Sequence, residues 1–368
     1  MRVALVHYWL LGMRGGERTL EALCRLFPEA DIFTLYCEPD KLSPFLRARR
    51  IQVSWLNPLR RFYRSLLPLA PLALESFDLR GYGLVISQES GPAKAVLAPA
   101  HARHICYCHT PMRYLWALYP EYLNEWTSAW KRPLLAPLAA GLRIWDFAAA
   151  ARVDTFIAGS INARERIRRA WGRDSNVVYP PVDVESFRWE PPEDYYLIVS
   201  ELVTYKRIDL AVRVFSENGR RLRIAGDGPE SGRLRRLARP NVEFCGRVSD
   251  DELRRLYARC RAFLMPGEED FGLTPVEAMA SGKQVIALAC GGVLESVPAR
   301  APRAGVFFAE PTPAALQAAV EEFERSEAGF EPRTLQAHAA RFSESEFRRA
   351  FCRELAAAGV ALDLIPAT

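Results

Sequence analysis

The chain has 368 residues, 49% of them hydrophobic and 25% charged, with a formal net charge of +5. That balance excludes a disordered chain, and at ~100–200 residues per domain it implies two globular domains. No apolar run reaches about 18 residues and Met1 leads straight into a strand-like stretch, so neither a spanning helix nor a secretory leader is expected, and the location reads as cytoplasmic.

Residues 2–8 read as a buried strand, followed by a loop with Gly12, Gly15 and Gly16 and an amphipathic helix over 17–26. The dinucleotide fingerprint G-x-G-x-x-G is absent from this βα turn, so no nicotinamide cofactor is indicated. Residues 51–77 interleave arginines and aromatics with leucines, and the window 41–80 holds eight basic residues against two acidic ones. Two readings stand: contact with an anionic membrane surface, or a pair of core helices broken by Pro68 and Pro71 with their arginines in solvent. Nucleic acid is not expected, because no recognised binding module accompanies the charge.

Strands are predicted at 83–87 and 104–108, the second running into Cys108-His109-Thr110-Pro111-Met112-Arg113-Tyr114-Leu115-Trp116. His109 leaves the carboxyl end of a strand, where α/β folds bind ligands, although a lone histidine there is more often structural. Trp116, Trp126, Trp130 and Trp145 then mark an aromatic insert that suits packing, an acceptor-sugar platform or an interfacial belt alike. A strand at 154–159, a helix at 162–171 and a strand at 176–179 lead to Pro180-Pro181 and Pro191-Pro192, the expected linker. The eight cysteines form no C-x-x-C pair and read as reduced, buried apolar residues.

From residue 195 the pattern restarts. Strands are predicted at 195–200, 222–225, 242–245, 262–265 and 284–288, with helices at 207–215, 230–237, 250–260 and 275–280. Alternation at this spacing implies an α/β fold of two doubly wound, Rossmann-like parallel sheets. Polar and glycine residues gather after these strands, at Lys206-Arg207, Gly226-Asp227-Gly228, Gly246-Arg247 and Gly291-Gly292. A final helix over 342–358, opened by Ser343-x-x-Glu346, carries Phe347, Phe351 and Leu355 on one face.

The richest stretch is 266–282, P-G-E-E-D-F-G-L-T-P-V-E-A-M-A-S-G. A strand ends at Pro266 and a helix begins at Thr274-Pro275, so the amides of Phe271, Gly272 and Leu273 lie at a helix N-terminus suited to an anion such as phosphate. Glu269 and Glu277 flank them, and carboxylates accept from pairs of hydroxyls such as sugars and riboses offer. Against this, Thr274-x-x-Glu277 is also a capping box, and an isolated Glu269 is ordinarily just solvated.

The whole string resembles the E-x7-E signature of retaining glycosyltransferases of family 4, which have the GT-B fold. The runs 104–116, 196–210 and 262–297 carry the resemblance, together with H-Y-W-L and G-G-E-R near the N-terminus. They are most similar to a bacterial subgroup assigned as mannosyltransferases of surface-polysaccharide assembly. By that resemblance Glu269 holds donor-sugar hydroxyls, the amides of Phe271, Gly272 and Leu273 with Thr274 hold sugar and phosphate, and Glu277 holds the ribose. Lys206, with Arg207, neutralises the diphosphate, Gly246 and Arg247 lie by the base, and His109 sits near the anomeric carbon. Gly16 borders the donor phosphates, while Gly15 and Arg113 face the acceptor.

The resemblance further implies an acceptor-binding domain over 1–180, a nucleotide-sugar domain over 190–340 and a C-terminal helix, 341–368, returning to the first. The implied partners are a nucleotide sugar, GDP-mannose by subgroup with UDP-linked sugars next, and a lipid-linked oligosaccharide acceptor. The location becomes cytoplasmic or peripheral on the inner face of the plasma membrane. No D-x-D motif occurs, so no metal cofactor is expected. One position departs from the family: Glu201 stands where an arginine is usual, five residues before Lys206. Either Arg207 takes over that charge, Glu201 points away, or the enzyme is weakened; Glu201 thus admits a degenerate nucleotide-sugar-binding protein as one alternative, and a GT-B sugar-nucleotide epimerase is the other.

Overall fold

The computed structural model describes residues 2–124, 127–299 and 303–360. It divides into two compact units, Met1–Tyr179 with Phe347–Thr368, and Pro180–Glu346.

In the first unit, seven parallel strands are ordered β3-β2-β1-β4-β5-β6-β7. They are β1 Val3–His7, β2 Asp31–Thr34, β3 Ile51–Val53, β4 Leu84–Glu89, β5 Arg103–Cys108, β6 Thr155–Ala158 and β7 Ser175–Val177. β1, β2 and β4 are buried along their whole length, as strands covered by helices on both faces must be. The segment 51–77, one of whose expected forms was a helix pair, folds otherwise: β3 is followed by 3-10 turns Asn57–Phe62 and Leu67–Leu69 and a short helix Ala70–Glu75. Pro58, Pro68 and Pro71 each sit in a first turn, where a missing N–H costs nothing but a longer helix cannot pass through.

In the second unit, six parallel strands are ordered β10-β9-β8-β11-β12-β13. They are β8 Tyr196–Val199, β9 Leu222–Ala225, β10 Val242–Gly246, β11 Ala262–Met265, β12 Gln284–Leu288 and β13 Gly305–Phe308. The last strand, and the helices Pro313–Ser326 and Pro332–Ala339 after it, go beyond the sequence expectations. The proline-bounded stretch 180–192 belongs to this unit rather than forming a free linker. Its backbone is tied down by Val182 N–H donating to Phe342 O at 2.8 Å and Glu190 N–H to Ala258 O at 3.2 Å.

The helix Glu344–Ala357 is capped by Ser343, whose hydroxyl accepts from the Glu346 amide at 3.3 Å. Phe347, Phe351 and Leu355 enter the first unit's core beside Leu5, Ile105 and Ile157. Both sheets are doubly wound, and in each the strand order reverses once, between β1 and β4 and between β8 and β11. The loops leaving such a pair diverge to opposite faces of the sheet and leave a crevice, which is where open α/β sheets bind ligands. Among the described residues, no helix is long and apolar enough to cross a membrane.

Candidate active site

In the second unit, the loop after β8 carries Lys206 and the loop after β11 carries Glu269. Their side chains meet, Lys206 Nζ lying 2.6 Å from Glu269 Oε1, both mostly buried. Gly267 makes the meeting sterically feasible. A Cβ there would lie 2.5 Å from the carbonyl carbon and oxygen of Lys206, closer than real side chains approach. The pair lines a recess with Ser200, Pro266 and Thr274, floored by Ile198, Phe263 and Leu264 of the two strands. Burial works against the Lys206 ammonium, but Glu269, then Tyr205 and Glu201, outweigh it, and its pKa is raised. The lysine is a fixed cation at the sheet's reversal point.

The next helix spans Leu273–Ala280, so its first turn begins two residues before the expected Pro275. Gly272 is the N-cap, at φ 83°, a left-handed conformation that a side chain would strain. Its lack of a capping side chain leaves the first-turn amides to other acceptors, the condition for anion binding. Because Thr274 is already inside the helix, the capping box expected from Thr274-x-x-Glu277 does not describe this terminus. Glu277 Oε2 instead accepts from the Tyr257 hydroxyl at 2.8 Å. The Glu269 loop is also held from the other side, where Gly292 N–H donates to Glu269 O at 2.9 Å. Phe271 is buried and packs edge-on to Phe342, the ring centroids 5.3 Å apart.

Gly246 ends β10 and Arg247 follows it, next to the Gly226–Asp227–Gly228 turn, with Gly226 N–H donating to Gly246 O at 2.7 Å. The Asp227 carboxyl is held below its usual range by the Ser231 hydroxyl and the Gly228 amide, with Arg247 adding its charge. Arg207 takes a left-handed conformation, φ 51°, as N-cap of the helix Ile208–Asn218. Its guanidinium reaches Pro311 O at 3.4 Å and lies 3.8 Å from Asp209, so its hydrogen bond and ion pair go to groups other than the Lys206–Glu269 pair. Glu201 is near enough to Lys206 for its charge to support the ammonium.

In the first unit, a second cluster forms at the β1/β4 reversal. Gly15 opens the helix Gly15–Leu26, two residues earlier than expected. Gly16 lies under His7 and Tyr8: a Cβ on it would meet Tyr8 Oη at 3.2 Å and His7 Cε1 at 3.5 Å. Gln88, at the end of β4 and 1% exposed, donates from Nε2 to the Gly16 carbonyl and reaches His109 Nε2 at 2.8 Å. Both amide hydrogens are thus directed at acceptors, which makes His109 Nε2 the acceptor and leaves the ring proton on Nδ1. Burial, with a smaller push from His7, lowers the His109 pKa to about 3, so the imidazole is neutral at physiological pH. His109 also packs edge-on to Tyr107, which in turn packs on Phe347 and Phe351 of the C-terminal helix. Arg113 is half-buried four residues further on, in the turn where its carbonyl accepts from Trp116 and Leu118.

The structure therefore brings Lys206 to Glu269 with Thr274, and Gly16 to His109, each within its own unit. Gln88 and Gly267 went unrecognised in the sequence, as did Tyr257 as the partner of Glu277. Gln88 is an ordinary polar residue at the end of an apolar run, and only the strand pairing that sets it beside Tyr107 of β5 aims it at His109. Trp126 lies outside the described residues.

Residues 182–343 match the model of the family "Glycosyl transferases group 1", and residues 13–186 that of "Glycosyltransferase Family 4". The chain is 30% identical over 197 residues to the sulfoquinovosyl transferase SQD2 of Arabidopsis thaliana, a match covering 49% of this chain and 38% of that protein. It is 32% identical over 154 residues to a GDP-mannose-dependent alpha-mannosyltransferase of Mycolicibacterium smegmatis, covering 38% and 41%. These matches span less than half the length of either relative. Among solved structures, Anabaena Alr3699/HepE in complex with UDP superposes with a TM-score of 0.72 over 97% of this chain and all of that one, at 17% identity. Two consecutive glycosyltransferase domain matches, on two Rossmann-like parallel sheets with such a neighbour, make this chain a member of the GT-B glycosyltransferases.

Proposed function

We propose that the protein is a retaining glycosyltransferase that moves a sugar, mannose from GDP-mannose, onto a hydroxyl of a lipid-linked glycan in bacterial surface-polysaccharide assembly. The observation that carries this reading is the Lys206–Glu269 pair at the β8/β11 reversal, beside a glycine-started helix. A diphosphate arriving at that helix start would meet a cation and the amides of a first turn that no side chain caps, and the Glu269 carboxylate would accept from sugar hydroxyls. Glu277 lies one turn further on and would take the ribose. In the reaction, the bond from the sugar's anomeric carbon to the diphosphate oxygen breaks and a bond to the acceptor oxygen forms on the same face. The acceptor's proton passes to the departing phosphate oxygen. Neutral His109, with its proton on Nδ1, would donate to a sugar hydroxyl rather than supply positive charge.

With Lys206 and the amides carrying the leaving-group charge, turnover should survive a strong chelator; complete loss restored by manganese would count against this. The mannosyl donor draws support from the mannosyltransferase relative, and UDP-linked sugars are next in order. A panel of nucleotide sugars, read by thermal shift and by donor hydrolysis, tests the donor. The variant Glu269→Gln should lower turnover tenfold or more, and unchanged turnover would remove the assignment.

Glu201 favours a second reading, a nucleotide-sugar-binding protein without transfer activity, because an anion beside the diphosphate site repels the ligand. The variant Glu201→Arg separates the two: a large gain in donor affinity indicates a compromised native site.

A further inference from the structure

The helix Arg132–Ala150 of the first unit turns an apolar face to the outside. It buries Leu142, Asp146, Ala149 and Ala150, while Leu134, Ile144 and Phe147 are 73%, 72% and 54% exposed. Positions 133, 137, 140, 144 and 147 follow one another at i, i+4, i+7, i+11 and i+14, one stripe of a 3.6-residue helix. That stripe reads Pro, Pro, Ala, Ile, Phe and holds no charge.

The helix cannot roll to hide it. Asp146, fully buried on the opposite side, is bonded to Lys94 Nζ, to Trp116 Nε1 at 2.8 Å and to Trp171 Nε1 at 2.7 Å. Rotating Ile144 and Phe147 inward would strip the carboxylate of those donors, at the cost of an uncompensated buried charge.

The border of the stripe is cationic. Leu67 and Trp145 both pack against the cluster that contains Leu142, and Trp145 Nε1 donates to Glu75 at 3.3 Å, so the 57–75 segment lies alongside. That segment exposes Leu59, Phe62 and Leu72 together with Arg60 and Arg61. At the other end, Lys131 sits 5.1 Å from the ring centre of Trp130, which is 77% exposed.

We propose that this face seats on an anionic bilayer, the Ile144–Phe147 stripe entering the acyl boundary while Arg60, Arg61 and Lys131 meet headgroup phosphates. An apolar stripe or a basic patch alone binds a membrane marginally, whereas the two side by side are the pairing that holds a protein at an anionic surface. A second copy of the chain is a poor occupant, since a two-fold contact would set this basic border against itself. The proposal deepens the lipid-linked acceptor of the previous section, yet vesicle binding needs neither donor nor acceptor, so the two can fail separately.

The test is flotation of the intact protein with vesicles of phosphatidylcholine alone or mixed equally with phosphatidylglycerol, at low and high salt. The wild type should float with the mixed vesicles at low salt and be released by high salt. Ile144→Glu with Phe147→Glu, and separately Arg60→Glu with Arg61→Glu, should each weaken partitioning about tenfold or more. All four side chains are exposed, so the thermal midpoints should stay within about 2 °C of wild type. The proposal is overturned if the wild type stays with the soluble fraction, binds phosphatidylcholine equally well, or is matched by both double variants. It is likewise overturned if light scattering shows a wild-type dimer that Ile144→Glu with Phe147→Glu converts to a monomer, which would make the face a self-contact.

Discussion

Replacing Gln88 by glutamate would reverse the sense of the hydrogen bond that fixes His109. The amide donates to His109 Nε2 at 2.8 Å and to the Gly16 carbonyl. A carboxylate can only accept, so Nε2 must gain a proton and the imidazolium form gains a neighbouring anion. An opposite charge at that distance raises a histidine pKa by about one to three pH units. Starting from about 3, His109 should titrate between about 4 and 6, still below the ordinary 6.5 because it remains buried. The carboxylate also faces the Gly16 carbonyl in a site where Gln88 is 1% exposed, so a stability loss of about 3 kcal/mol is expected. Following the His109 Cε1 proton by NMR through a pH titration measures the first effect, and urea unfolding the second. Gln88→Met is the control: it removes both donors without adding charge and should leave the imidazole neutral throughout. If His109 in Gln88→Glu titrates no higher than in the wild type, the tautomer argument is wrong.

Acid should destabilise the protein above the range in which ordinary, exposed carboxylates titrate. His104 and His109 are held neutral by burial, with pKa values of about 4 and 3, whereas in the unfolded chain both take up protons below about 6.5. Each therefore contributes stability that is lost as pH falls, about 1.4 kcal/mol per pH unit, while Glu89, raised to about 7 by burial, works in the opposite sense. Two against one leaves a net loss of about 1.4 kcal/mol per pH unit between roughly 6 and 4.5, to be read from urea midpoints across that range. Lys94→Met should cost about 3–5 kcal/mol, because Asp146 and Glu89 are both fully buried and lose their shared cation; a shift below 1 kcal/mol would mean the carboxylates are already neutral. Gly267→Ala should push the Lys206 loop away and weaken donor binding about tenfold or more, since the new Cβ would start 2.5 Å from Lys206 backbone atoms; calorimetry with the preferred nucleotide sugar measures it.

Much of the fold is visible in the residues alone, and the exceptions have identifiable causes. β11 and β12 fall where their apolar runs fall, because a strand covered on both faces must be almost continuously apolar. β2 and β3 were hidden: Asp-Ile-Phe-Thr begins with a charge, and Ile-Gln-Val is three residues long. Asp31 is accommodated because Arg2 and the Tyr82 hydroxyl, each at 2.6 Å, and Arg50 at 3.2 Å converge on it from distant positions.

The candidate site divides in the same way. Sequence by itself determined the chemical groups and their local setting: a strand, a glycine-bearing loop and a helix start between Glu269 and Glu277, and a histidine leaving a strand. Those features depend on neighbours a few residues away. Tertiary structure decided which groups touch. Lys206 and Glu269 are 63 positions apart in the chain, and strand order sets their loops side by side, while Gly267 lets the backbones close to contact. Gln88 reaches Gly16 and His109 for the same reason, since β4 pairs with β1 on one side and β5 on the other. Local pattern names the donors and acceptors; the winding of the sheet assigns them to one another, because parallel pairing joins residues whose separation no short-range periodicity records.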